Sequence, residues 1–225
     1  MTTPCRGNSG IDMKKLLLLL LPLVLLLSSC SDVRKFERDA DGYGYTDIKS
    51  KLYYAELDAA FEPASAGEIW GEYENEKTGK TRTFRTIPDL EPTLFLADEY
   101  LNVYYAGDTP LDAAKWEISL ILICEEDAIS VEDFRFTAKE NAETVSTIRS
   151  LWFESAGDAT LPFGDAAYKR RVKLSCDAYP NLLYSFSFLA YDSGDSYFYD
   201  ASSRRTVAVP QALASLLRPT ENAEG

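Results

Sequence analysis

The sequence predicts an α+β domain: a mostly antiparallel sheet with one main packed helix and a short C-terminal helix. Three observations carry this. Short β-prone runs separated by turn residues recur between Lys51 and Pro210. One segment, Ala138–Phe153, spaces its apolar residues at a helical period. A shorter helical segment follows Pro210, a residue suited to a helix start.

"KLYYAEL" reads as the first strand. "GEIWGEYENEKTGKTRTFRTIP" reads as a hairpin, with its turn at Lys77–Lys80 around Gly79. "TLFLADEYLNVYYAG" gives two short strands around a polar break, and "DTPLDAAK" a turn or short helix. "WEISLILIC" is the most apolar strand; both of its faces turn apolar toward its end, which places it centrally. Thr137 and Glu140 have the spacing of a helix-capping pair, and Ala142, Val145, Ile148 and Trp152 then form a stripe expected to pack on the sheet. "YKRRVKLSC" and "LLYSFSFLAY" form a hairpin turning at Tyr179-Pro180-Asn181, with Tyr184, Phe186 and Phe188 facing inward. "YFYD" and "TVAVP" complete a meander, and Gln211–Leu217 forms the last helix.

Ahead of these elements lies "MKKLLLLLLPLVLLLSSCSD", Met13 to Asp32. Its apolar run, Leu16–Leu27, is far short of the roughly 20 residues a membrane-spanning helix needs. It has no polar face, so it makes a poor core helix. Behind Lys14 and Lys15 it fits the apolar region of a secretory signal. Leu27-Ser28-Ser29-Cys30 resembles the bacterial lipobox: an aliphatic residue, two small residues and a cysteine. The resemblance implies cleavage after Ser29 and a diacylglyceryl group on the Cys30 thiol. The polar stretch before Met13 is unlike a signal start, so translation is expected to begin at Met13. On this reading residues 1–29 are the signal peptide, 30–50 the lipidated cysteine and a tether, 51–218 a single ectodomain, and 219–225 a disordered tail. Ser31 is not the aspartate that the enterobacterial sorting rule uses for inner-membrane retention. An outer-membrane site is therefore open if the host has two membranes.

Removing 29 of the 225 residues leaves 196, the size of one domain. The removed piece carries Arg6, Lys14, Lys15 and Asp12, so the net charge moves from −13 to −15. Such a surface repels nucleic acid and anionic lipid, and no nucleic-acid partner is expected. The chain has no histidine. That excludes serine–histidine and cysteine–histidine hydrolases and histidine-ligated zinc. Cys124 and Cys176 remain after lipidation, 52 residues apart and in no metal-binding spacing. By strand alternation, Cys124 shares a face with Trp116, Ile118, Leu120 and Leu122, and Cys176 with Val172 and Leu174. Outside the cytoplasm the two could form a disulfide or stay as buried thiols, and the sequence leaves both open.

Motifs of catalysis are thin. "EKTGKT" lacks the first glycine of a phosphate-binding loop and lies between strands, so it reads as a solvated turn. There is no Ser-x-x-Lys to accompany Lys77-Thr78-Gly79, and no Gly-x-Ser-x-Gly. Asp39-x-Asp41-Gly42 and Asp192-x-x-Asp195 lack the ligand positions of a calcium loop. Glu125-Glu126-Asp127 reads as a strand end. Tyr100, Tyr104, Tyr105, Tyr197 and Tyr199 could form an aromatic platform, although most strand aromatics pack inward. The expectation is a non-catalytic, extracytoplasmic binding or structural lipoprotein held to the membrane through Cys30, without a cofactor or metal. A protein or glycan partner is open. A solute- or glycan-capturing lipoprotein is the alternative, and an enzyme working with carboxylates alone is the second.

Overall fold

The structure is a computed structural model that describes residues 33–125 and 132–218. The signal segment, Cys30, Glu126, Asp127 and the 219–225 tail lie outside the described residues. Strands come first: β1 (Arg34–Arg38), β2 (Gly44–Asp47), β3 (Tyr53–Glu56), β4 (Phe61–Pro63), β5 (Ile69–Glu74), β6 (Thr81–Arg85), β7 (Phe95–Asp98) and β8 (Val103–Tyr105). All but β4 close into a seven-stranded barrel in the order β1-β2-β3-β8-β7-β6-β5. The closing pair, β1 with β5, is parallel; the other neighbours are antiparallel.

A small barrel must be filled by its own side chains. Here Phe36, Tyr45, Tyr54, Phe84, Leu96 and Tyr104 fill it. Phe84 touches Phe36, Tyr45 and Tyr104, two of them edge to face. Each mouth is closed by an arginine–aspartate pair. At one, Arg34 Nη1 meets Asp47 Oδ2 at 2.5 Å while its guanidinium covers Trp70. At the other, Arg82 Nη1 lies 3.3 Å from Asp98 Oδ2, and both groups bond the Tyr104 hydroxyl. The seam closes because Gly71 has no side chain: a Cβ there would lie 2.3 Å from the Phe36 ring and 2.8 Å from the Arg34 carbonyl oxygen.

The rest of the chain forms a second sheet from β9 (Ile118–Glu125), β10 (Glu132–Thr137), β11 (Tyr168–Cys176), β12 (Leu182–Ala190), β13 (Ser196–Tyr199) and β14 (Thr206–Ala208). The order is β10-β9-β11-β12-β13-β14. β4 joins the β12 edge at Leu182–Tyr184, and β13 takes the same edge further on, at Ser187–Ala190. Helices α1 (Ala142–Glu154) and α2 (Gln211–Leu216) bury Val145, Ile148, Trp152, Leu213 and Ala214 in the core over one face. Trp152 stacks on Phe186 with ring centroids 4.1 Å apart. The outward residues of β7 and β8 (Phe95, Ala97, Val103) join this same core beside Phe61 and Trp116.

Three expectations are corrected. The fold is mostly β rather than α+β: 41% strand against 12% helix, with a closed barrel and a second sheet. Residues 34–47 are not tether; they supply two barrel strands. The main helix starts at Ala142 rather than Ala138. Thr137 and Glu140 do bond each other, with Glu140 N donating to Thr137 Oγ1, but they build the turn that leads out of β10.

Candidate functional site

One face of the second sheet carries the helices. On the opposite face, β11 presents Lys169, Arg171 and Lys173 at alternate positions, by the period-two geometry of a strand. β12 sets Ser185, Ser187 and Leu189 beside them, and β13 sets Tyr197 and Tyr199 next to β12. Glu62, brought in by β4, neutralises Lys173 at 2.8 Å. Further along, the face sinks into a cleft of about 400 Å³. Lys169, Arg171, Ser187, Leu189, Tyr191 and Tyr199 line it, and Ala59, the 164–166 loop and the 200–202 turn wall it. That volume is within the range of small-molecule sites.

Two acids, Asp165 and Asp200, line the cleft with the two bases Lys169 and Arg171, but the bases are not tied to them in ion pairs. Arg171 Nη2 donates to Ser185 Oγ at 2.9 Å. Among the described residues no carboxylate reaches ion-pair distance of Arg171 or Lys169; Glu62 pairs with Lys173 and Asp133 with Arg170. Alternate residues on a strand stand about 7 Å apart, so the two cations can grip one anionic group. Asp200 is already engaged: Ser202 and Ser203 donate to it from both hydroxyls and both backbone amides. Burial alone would raise its pKa, but those bonds outweigh burial and hold it below the usual carboxylate range. It is therefore a fixed acceptor, unsuited to donating a proton near neutral pH. Burial, then neighbouring Tyr197 and Asp165, push the Tyr191 phenol up, so it stays a neutral donor. Tyr191 and Tyr197 meet edge to face at 5.9 Å. The cleft thus offers two cations, the fixed Asp200 carboxylate, a second carboxylate at Asp165, hydroxyls and aromatic surface.

The five tyrosines singled out in the sequence do not form one platform. Tyr104 is buried in the barrel, Tyr105 packs against Phe95, and Tyr100 stands exposed in the β7–β8 turn. Tyr197 and Tyr199 belong to the second sheet, and of the five only Tyr199 lines the cleft. Cys124 and Cys176 are both buried and free. In the β9–β11 register Cys124 faces Arg171 and Cys176 faces Ile118, about 17 Å apart along β11 and on opposite faces. A bulge in β9 explains this. The register jumps from Leu120 to Ile118, so Trp116 and Ile118 join Ile121 and Ile123 in the core while Leu120, Leu122 and Cys124 turn to the other face. Burial raises both thiol pKa values. The "EKTGKT" stretch is the β5–β6 hairpin turn, held by Asn75 Oδ1 accepting from Lys77 N and Thr78 N. Asp192 and Asp195 lie in the β12–β13 turn, where Ser193 Oγ donates to Asp195. Glu125 ends β9.

Sequence reading missed Lys169 and Arg171, although the alternation in "KRRVK" is visible once that run is known to be a strand. Asp200 and Tyr191 carried no signal; only the fold brings them to the cleft. Among the described residues no helix is long and apolar enough to cross a membrane, and no three metal-ligating side chains cluster. Comparison with protein-family models, with curated proteins and with solved structures gives no match to this chain.

Proposed function

We propose that this chain is a lipid-anchored, extracytoplasmic binding protein that captures a carboxylate-bearing glycan fragment in the cleft of its second sheet. The pair Lys169 and Arg171, open to the cleft and free of carboxylate partners among the described residues, carries this reading. A sugar carboxylate would lie between the two cations. Ring faces would stack on Tyr199, and hydroxyls would donate to the fixed Asp200 carboxylate. The held, ionised Asp200 favours binding over acid–base cleavage. The lipobox-type segment ending at Cys30 supports the location. Two acyl chains give stable anchoring where one is marginal.

The test is calorimetric titration with a uronic-acid oligosaccharide and with its neutral counterpart. Binding of the acidic sugar alone is expected. Arg171→Met should weaken it about tenfold or more, the worth of one charge-assisted hydrogen bond of about 1.5–3 kcal/mol. Equal binding of both sugars, or binding indifferent to Arg171→Met, would refute the proposal.

A further inference from the structure

The first barrel strand begins at Arg34, and only Ser31, Asp32 and Val33 separate it from Cys30. Four Cα steps span at most about 14 Å, however the chain runs. An acylated cysteine sits where the hydrocarbon ends, and the headgroup layer above it takes about 5–7 Å of that reach. Arg34 can then stand no more than about 9 Å above the headgroups. A domain on so short a leash must rest on the bilayer by whichever surface surrounds the start of β1.

That surface is one rim of the barrel. The β1 start, the β2 end and the starts of β5 and β7 share it, because β1 runs parallel to β5 and antiparallel to β2, and β7 returns antiparallel to β6. Ile48 N donates to the Lys35 carbonyl oxygen at 3.0 Å, which fixes the β2–β3 tip beside the β1 start. Ile48 (39% exposed), Ile69 (51%) and Leu94 (41%) stand out at this rim, and the equally exposed Val33 (39%) directly precedes β1. Lys49 and Lys51 are exposed on the same tip as Ile48, while the ion pairs here go to Arg34 and Lys35. Glu68 and Glu91 lie near Ile69 and Leu94 in sequence, so the rim is mixed in charge rather than purely basic. The opposite rim, with the β1–β2 and β7–β8 turns, exposes Tyr43 and Tyr100 instead.

Resting on the lipidation of Cys30 proposed above, we infer that the rim bearing Ile48, Ile69 and Leu94 is the membrane-contact surface of the domain. The aliphatic side chains enter the interface and Lys49 and Lys51 meet lipid phosphates. The domain is thus docked on the bilayer rather than held off it.

The test uses the full lipidated protein in vesicles of the zwitterionic lipids phosphatidylethanolamine and phosphatidylcholine, carrying a spin-labelled lipid quencher. An environment-sensitive fluorophore is placed at Ile48→Cys or Leu94→Cys, and at Tyr43→Cys or Tyr100→Cys on the opposite rim. The native Cys124 and Cys176 are buried, and unsubstituted protein reports any background. Blue-shifted emission and severalfold stronger quenching at positions 48 and 94 than at 43 and 100 are expected. Equal quenching at both rims overturns the inference. So does a label at 48 or 94 shielded from both lipid and aqueous quenchers, because another protein then covers the rim. Mass spectrometry of the same sample separates the two claims. An unmodified Cys30 defeats the anchor and the inference together, whereas a lipidated Cys30 with an unquenched rim defeats the inference alone.

Discussion

Asp47→Asn tests how the barrel mouth is held. Asp47 has no solvent exposure. Its Oδ2 accepts from Arg34 Nη1 at 2.5 Å and Ser50 Oγ at 2.7 Å; its Oδ1 accepts from Lys49 N at 2.8 Å and Ser50 N at 3.3 Å. Asparagine keeps the Oδ1 bonds but points an amide donor at the Arg34 donor. The loss is one charge-assisted bond, about 1.5–3 kcal/mol, plus a partly solvated guanidinium without its counter-charge; about 2–3 kcal/mol in all. The pH dependence has a definite sign. Burial would raise the Asp47 pKa, but the bonds from Ser50, Arg34 and the backbone outweigh it and leave the pKa lowered. Its contribution is therefore full above the unfolded value of about 3.9 and is lost as pH falls through the lower folded value. Urea unfolding of wild type and variant, followed by fluorescence, should give the full difference at pH 7 and a shrinking one below about pH 4. A difference under about 0.5 kcal/mol at pH 7, or one unchanged by acid, would refute the reasoning.

Three further outcomes are expected. Gly71→Ala forces a methyl against Phe36 and the Arg34 carbonyl at the barrel seam, and should cost about 1–3 kcal/mol by urea unfolding; a neutral effect would mean the seam is looser than its geometry. Trp152→Ala removes the ring stacked on Phe186 and should cost about 3–5 kcal/mol, with loss of near-ultraviolet dichroism. Cys124 and Cys176 should resist a thiol reagent in the native protein and both react after unfolding without reductant; a disulfide mass would contradict their separation.

The second sheet was largely legible. The hairpin of β11 and β12, the meander to β14 and the stripe of α1 each follow a clear period, and Phe186 and Trp152 meet as their spacings require. The barrel was half legible. β3 and β5 to β8 show as β-prone runs, whereas β1 buries only Phe36 among charged neighbours and offers no alternation to read. β4 is three residues long and is a strand only because β12 offers it an edge. β10 alternates Phe134 and Phe136 with polar residues, a short signal overshadowed by the helix beside it. Closure itself depends on a parallel pairing of β1 with β5, which no local pattern announces. The bulge in β9 is likewise a tertiary event, and it reverses every face assignment on one side of it. At the candidate site, the cations were visible in the strand but their freedom from partners was not. That depends on Glu62 arriving at Lys173 from more than a hundred residues away.

The most direct test of the functional account is a crystal structure of the protein soaked with a uronic-acid disaccharide. The account predicts the sugar carboxylate between Lys169 and Arg171, with a ring face on Tyr199 and a hydroxyl on Asp200. A sugar bound elsewhere, or a cleft still empty at saturating concentration, would contradict it.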